Sequence, residues 1–364
     1  MKIFLAQALV NSPAPLHYPI EMEEGIGKPI FVVGSPRSGT SILTWCIGQH
    51  PNILPQEESN WLGPFAIDAA VGYQRGSERG KRGQLSANFI EREEFLERFG
   101  ETIDQLILSH RKQFESRQAG CTVPHFKVSR SSEEPKSRWV DGTPENCFYI
   151  CGLRKLFPKA QFVHLVRDVS DVVSSLLNFF PGGAHRLVKN EQAAYEYWLR
   201  TVNCCVQAEQ AYGPSVVYRL RYSDLIERSE SATRSLLIFL GEPYSSQCLE
   251  PMALRVNTSK VPSDFNERDS ATDPMVVARA TRLSDELQRL PQPCQSSLAA
   301  ADEMEAAFRE RVKYVANIDI AYQKARQIIK TLHDSGLPSN PATESAAVEL
   351  TSPYAAFSSQ RSET

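Results

Sequence analysis

One stretch constrains this chain more than any other: an apolar run that ends in a loop of glycines and hydroxyls and resumes as a helix. Ile30-Phe31-Val32-Val33 reads as a buried strand. Gly34-Ser35-Pro36-Arg37-Ser38-Gly39-Thr40-Ser41 follows, and an apolar, helix-like segment runs from Ile42 to Gln49. Strand, loop and helix in that order present backbone N–H groups and a helix N-terminus to an anion. Gly34 and Gly39 have the spacing of the two glycines of a Walker A loop. Thr40 stands where that motif has lysine, and the cation of the loop is Arg37, inside it. The loop therefore suits a phosphate but lacks the lysine that serves the β- and γ-phosphates of ATP. An ordinary tight turn has no need of a hydroxyl run together with an inserted arginine.

The rest of the chain bounds the fold. Its 364 residues are enough for one large α/β domain with elaborations or for two smaller ones. A net charge of −3 gives no global attraction to nucleic acid or to an anionic membrane. No apolar run approaches the roughly 18 residues of a membrane span. Met1 to Val10 makes a poor signal peptide, because prolines follow quickly. Eight cysteines are scattered without zinc spacing, which points to buried thiols in a reducing compartment and to the cytoplasm.

Residues 1–28 read as a lead-in, 29–334 as the folded domain and 335–364 as a disordered tail rich in Ser, Thr, Ala and Pro. Within the domain, 71–87 reads as a flexible basic loop and 89–118 as an amphipathic helix; 65–140 together form a mainly helical insert. Thr143 is placed to cap a helix that runs from Pro144 to about Phe157. Phe162-Val163-His164-Leu165-Val166 has the apolar continuity of a buried parallel strand. Asp168 opens a helix toward Phe179, 187–212 is a longer helix, and 215–220 a third strand. Helices at 230–240 and 297–333 complete the pattern. Strands alternating with helices imply an α/β fold with a central parallel sheet covered on both faces.

Four segments together resemble the sulfotransferases that use 3′-phosphoadenosine 5′-phosphosulfate (PAPS), on the branch that carries Pro-Arg-Ser-Gly-Thr and includes tyrosylprotein and bacterial enzymes. They are Gly34–Ser41, the Thr143-Pro144-Glu145-Asn146 helix start, Phe162–Asp168 with Ser174-Ser175, and Arg221–Ile226 followed by Phe239-Leu240-Gly241. The resemblance covers roughly residues 29–260. It implies a single α/β domain with a P-loop-like fold, in which Gly34, Ser35, Pro36, Arg37, Ser38, Gly39, Thr40 and Ser41 hold the 5′-phosphosulfate. It further implies that Arg167, at the strand end, and Ser175, eight positions on (175 − 167 = 8), bind the 3′-phosphate. Tyr222 is implied to lie by the nucleotide. The chain departs from the family at Gly142, where many members have lysine before Thr-Pro. It also lacks the late glycine-rich loop that binds the 3′-phosphate in cytosolic relatives, and Lys260 in Asn257-Thr258-Ser259-Lys260 is the substitute.

Sulfuryl transfer needs a base for the acceptor proton and a cation for the charge that grows on the leaving phosphate. Arg37 can supply the charge, and no metal is required. Glu57, Glu58, His50, His125 and His164 are the candidate bases. His164 sits in the apolar strand and reads as a core residue, and His50 at the helix end reads as structural. His125 precedes Lys127 and so reverses the Lys-x-His order of the cytosolic branch. Glu58 follows Arg37 by 21 positions (58 − 37 = 21), and in the tyrosylprotein branch the equivalent second glutamate is the base. Glu57 is the alternative. Trp61 and Phe65 lie just beyond, placed to desolvate the carboxylate and to touch the acceptor. The expected partners are PAPS, with PAP (adenosine 3′,5′-bisphosphate) as product, and a small-molecule, lipid or carbohydrate acceptor carrying a hydroxyl or amine. The competing readings are a P-loop kinase or nucleotide phosphotransferase, and a PAP-binding module without catalysis.

Overall fold

In the computed structural model, residues 27–78, 80–113, 116, 136–179, 187–253 and 269–334 are described. The candidates His125 and Lys260, the tail 335–364 and most of the lead-in lie outside them. Five strands form one all-parallel sheet: β1 (Ile30–Gly34), β2 (Ile53–Pro55), β3 (Arg138–Asp141), β4 (Gln161–Val166) and β5 (Val217–Arg221). Their order is β2-β3-β1-β4-β5. Among the described residues, nine longer helices surround the sheet: α1 (Thr40–Gly48), α2 (Leu62–Ser77), α3 (Arg92–Ser109), α4 (Ile150–Leu156), α5 (Val169–Leu177), α6 (Glu191–Tyr212), α7 (Ser229–Leu240), α8 (Pro274–Arg289) and α9 (Leu298–Asp334).

The sheet is parallel because its inner strands are apolar on both faces. Residues Ile30 to Val33 are fully buried. Alternate residues of β1 feed two cores: Phe31 and Val33 pack with Trp139, Phe157 and Phe162 under α2, α4 and α9, whereas Ile30 and Val32 pack with Leu43, Ile47 and Leu236 under α1 and α7. Phe31 makes an edge contact with Trp139 at 5.5 Å and a stacked one with Phe162 at 5.3 Å between centroids. Beyond the β4 side, α5, α6 and α8 close a third cluster around Leu176 and Trp198.

Register matters for the site. Gly34 pairs with Leu165 and Val166 with Arg221, while Phe31 pairs with Asp141. All five strands therefore end along one edge of the sheet, and the segments that leave them share a single crevice. Ligands of open parallel sheets bind there.

Several expectations are corrected. Residues 71–77 are the last turns of α2, and Gly80–Arg82 and Gln84–Ala87 form single helical turns, so 71–87 is not an extended loop. Gly76 makes this packing feasible, since a Cβ there would lie 2.6 Å from Leu85. Thr143 makes no side-chain cap; its own N–H donates to Asp141 Oδ1 at 2.7 Å, and Pro144–Tyr149 is a 3-10 turn ahead of α4. The carboxylate two residues back has taken over the turn, as Asx residues do. Asp168 does cap α5, accepting from the N–H of Ser170 at 2.9 Å. No described helix is long and apolar enough to cross a membrane. No disulfide joins the seven described cysteines, of which Cys294 is exposed.

Candidate functional site

Each strand contributes one segment to the crevice. β1 runs into the loop 35–39, β4 into Arg167, β5 into Tyr222, β3 into Gly142 and β2 into Gln56–Glu58. The loop is tight: Ser38 N–H donates to Ser35 O at 3.1 Å. Gly39 has φ 104° and stands at the N-cap of α1 without a side chain to cap it. A Cβ there would lie 2.7 Å from Tyr222, so glycine is required both by backbone and by space. The N–H groups of the first turn of α1 are thereby left facing the crevice without a capping side chain. Ser38 Oγ is buried and has no partner among the described residues.

Arg37 itself lies in the left-handed region at φ 72°, unusual for a residue with a long side chain. That backbone turn carries the guanidinium over the Phe179 ring at 4.3 Å and lets Nε donate to Ser175 Oγ at 3.0 Å. Arg167 Nη1 donates to the Arg37 carbonyl at 3.3 Å, and its guanidinium lies 4.8 Å from the Tyr222 ring centroid. Asp171 accepts from Arg167 at 3.1–3.2 Å. Arg37, Arg167, Ser175 and Tyr222 thus meet around the loop, although they are up to 185 positions apart (222 − 37 = 185). Burial and the neighbouring Arg167 push the Arg37 pKa down, opposed by Glu58. Two arginines brought together at the loop form a pocket of positive charge that an anion relieves.

Glu58 stands on the other side of the loop. Although its side chain keeps access to solvent, its carboxyl is pushed up to about 6. Desolvation in the cleft is the largest cause; Glu145, Asp141 and Glu57 add to it, and Arg37 opposes them. Ser41, Thr44 and Trp45 of α1, Pro55 at the end of β2 with Gln56–Glu58 after it, and Gly142 after β3 line a cleft of about 270 Å³ here. Trp61, 49 % exposed, packs edge-on against Phe65 at 5.8 Å between centroids.

The two described histidines among the candidate bases are engaged elsewhere. His50 is buried, its Nε2 faces Pro243 O at 2.9 Å, and its Nδ1 accepts from Asn52 N–H. His164 is wholly buried with Nδ1 2.6 Å from Glu209, which also pairs with Arg219. Thr44 and Trp45 escaped the sequence reading. Their signal is their spacing from Ser41, three and four residues on, which puts all three on one stripe of α1. Gly142 also gains a reason: a Cβ there would lie 2.1 Å from Thr44 Oγ1, so a side chain at this position has no room.

The model of the sulfotransferase family matches residues 29–246. The chain belongs to that family. Among curated relatives, an uncharacterized protein of Aquifex aeolicus is 28 % identical over 232 residues, which are 61 % of this chain and 26 % of that protein. A Caenorhabditis briggsae protein named "Putative protein-tyrosine sulfotransferase" is 23 % identical over 221 residues, 60 % of this chain and 68 % of its own. The match thus spans about a quarter of the Aquifex protein. Among solved structures, the sulfotransferase domain of the Synechococcus PCC 7002 olefin synthase aligns with TM-score 0.39 and 17 % identity, covering 78 % of this chain and 96 % of that domain. Sulfotransferase STF9 from Mycobacterium avium aligns with TM-score 0.40 and 16 % identity, covering 75 % and 79 %.

Proposed function

We propose that this sulfotransferase-family chain moves a sulfuryl group from PAPS to the hydroxyl or amine of a small-molecule, lipid or carbohydrate acceptor. The observation that carries the reading is the meeting of Arg37, Arg167 and Ser175 on one side of the glycine loop, with a carboxylate of raised pKa on the other. The residues fit the donor. The glycine loop and the uncapped first turn of α1 suit the 5′-phosphosulfate. Arg167 and Ser175 suit the 3′-phosphate, and Tyr222 suits the nucleotide beside them. PAPS brings the sulfuryl group; the protein orients it and manages one proton and one charge.

Glu58 takes the acceptor proton as the acceptor oxygen bonds to sulfur. The bond from sulfur to the phosphate oxygen breaks with its electron pair left on that oxygen, where Arg37 meets the new charge. Arg37 is always protonated at working pH, so its help is electrostatic. With a pKa of about 6, Glu58 is ionised at neutral pH yet more basic than an ordinary carboxylate.

Thermal shift with PAP, ADP and Mg·ATP, together with transfer of label from ³⁵S-PAPS to an acceptor panel, tests the reading. PAP alone should raise the melting temperature clearly, and label should move to an acceptor. Stabilisation by Mg·ATP in preference to PAP would point to a phosphotransferase. PAP binding without transfer to any acceptor would point to a module that has lost catalysis.

A further inference from the structure

Arg37 must meet a charge that grows on one oxygen, yet arginine is a long side chain that gives up much rotamer freedom when it is fixed. Its φ of 72° sets where the side chain leaves the loop, not where the guanidinium comes to rest. Two residues at the end of α5 decide that. Nε donates to Ser175 Oγ at 3.0 Å, and Cζ lies over the Phe179 ring, 4.3 Å from its centroid. Ser175 and Phe179 are four positions apart (179 − 175 = 4), which puts them on one face of a helical turn. The chain stays wound past the last residue of α5: Phe179 N–H donates to Leu176 O at 3.2 Å, and Asn178 Nδ2 to Ser174 O at 2.8 Å. The inner side of α5 is locked in turn, with Val172, Val173 and Leu176 buried in the cluster that includes Trp198 of α6 and Leu287 of α8. Phe179 is thus a half-buried ring on a fixed support, set under the cation of the glycine loop.

The kind of contact matters as much as its place. Among the described residues, the one hydrogen bond donated by the Arg37 guanidinium is that of Nε to Ser175. A carboxylate in the place of Phe179 would pair with the Nη N–H groups and cancel the charge before an anion arrived. An aromatic face attracts a cation through its quadrupole but carries no charge and offers no lone pair, so the Nη groups stay free. An aliphatic side chain would fill the space without that attraction. We propose that Phe179 is a positioning residue for sulfuryl transfer: its ring holds the Arg37 guanidinium, still unpaired, where the leaving oxygen develops its charge. The proposal rests on the sulfotransferase reading above and adds to it a residue that acts through Arg37. Because that charge grows only during transfer, the contribution of Phe179 belongs in kcat and not in the binding of donor or acceptor.

The test uses the full chain, saturating ³⁵S-PAPS and three probe acceptors: a simple phenol, an alkyl alcohol and a methyl glycoside. The probe that takes most label is used, and release of ³⁵S-sulfate to water serves if none does. Phe179→Leu should lower kcat by roughly 2- to 30-fold, the range of one lost cation–π contact. PAP affinity and both KM values should stay within about twofold. Phe179→Tyr, which keeps the aromatic face, should restore most of the rate. In an Arg37→Ala background Phe179→Leu should cost nothing further, because a residue that acts through Arg37 has nothing left to position. Melting temperatures identify a misfolded variant, and Phe179→Met repeats the test if Phe179→Leu is one. An unchanged kcat in the folded variant overturns the proposal. So does an equal loss with and without Arg37, or a failure of Phe179→Tyr to restore the rate. A raised acceptor KM at constant kcat would make Phe179 a wall of the acceptor site and overturns it as well. Each of these leaves the sulfotransferase reading standing. If the wild-type chain moves label neither to a probe nor to water, that reading falls, and this proposal with it.

Discussion

The two halves of the crevice are built from the same sheet edge but carry opposite charge. Past β1, β4 and β5 stand Arg37, Arg167 and the Ser175 hydroxyl, arranged around backbone N–H groups. At and past the ends of β2 and β3 stand Glu57, Glu58 and Asp141, with Glu145 close by. One half is suited to a polyanion and the other disfavours one. The glycine loop, which leaves the central strand β1, is the seam between them. The contrast implies a division of labour: groups on the first side should govern donor binding and leaving-group charge, and groups on the second should govern the acceptor and its proton. Substitutions can break or sharpen that division.

The largest effect is expected at Glu58. Glu58→Gln keeps the size of the side chain and removes the proton acceptor, so transfer to an alkyl alcohol should fall roughly 10²–10⁴-fold with PAP affinity unchanged. Single-turnover rates and PAP titration measure the two halves separately. A parallel loss of PAP affinity would mean that the halves are not independent. Next is Arg37→Ala, expected to cut kcat by about 10²–10³-fold, the scale of one lost charge-stabilising group. PAP affinity should change less, because PAP has no sulfuryl group and the charge at Arg37 grows only during transfer. The reverse pattern would make Arg37 a ground-state anchor.

Arg167→Ala should weaken PAP by roughly 10- to 150-fold, the equivalent of the 1.5–3 kcal/mol of a hydrogen bond to a charged group. ADP should be little affected, since it has no 3′-phosphate. Equal losses for both nucleotides would remove Arg167 from the 3′-phosphate site. Across the seam, Gly142→Ala should raise acceptor KM severalfold. Its Cβ would lie 2.1 Å from Thr44 Oγ1, and overpacking of this kind costs about 1–3 kcal/mol. Donor binding should not respond.

The glycine-loop side of the crevice was far more legible in the sequence than the Glu58 side, and the reason is physical. A glycine loop between strand and helix is made from consecutive residues, so Gly34 to Ser41 announce themselves. Arg167 and Ser175 share one strand–helix junction whose capping Asp168 is equally local. The cleft beside Glu58 is assembled from short pieces. β2 has three residues and β3 four, too few for an alternation to stand out, and both were missed. Trp45 and Thr44 look like part of an apolar helix until Gly142 and the 55–58 segment are folded against them. The helix α8 was also missed although its start is signalled: Asp273 accepts from Met275 N–H at 2.8 Å, and Pro274 occupies the first turn. Thr143 shows the opposite error. Its cap signature was real, but Asp141 competes for the same turn and wins.

The smallest effect, and the sharpest probe of the acidic half, is expected from Glu57→Gln. Glu58 holds its proton up to about pH 6, so the rate should climb as pH rises through that value and level off above it. Below it the group is an acid and cannot take the acceptor proton. Glu57 is one of three carboxylates that raise this pKa, and it is the smallest contributor of the three. Removing its charge makes the Glu58 carboxylate easier to form. The acid limb of the pH–rate profile should therefore shift to lower pH, by a fraction of a unit, with the plateau little changed. PAP binding at neutral pH should stay as it was, because the donor half does not contain Glu57. A collapse of the plateau would mean that Glu57 is the base and Glu58 its neighbour. An unmoved limb would mean that solvent at the mouth of the cleft screens the two carboxylates from each other.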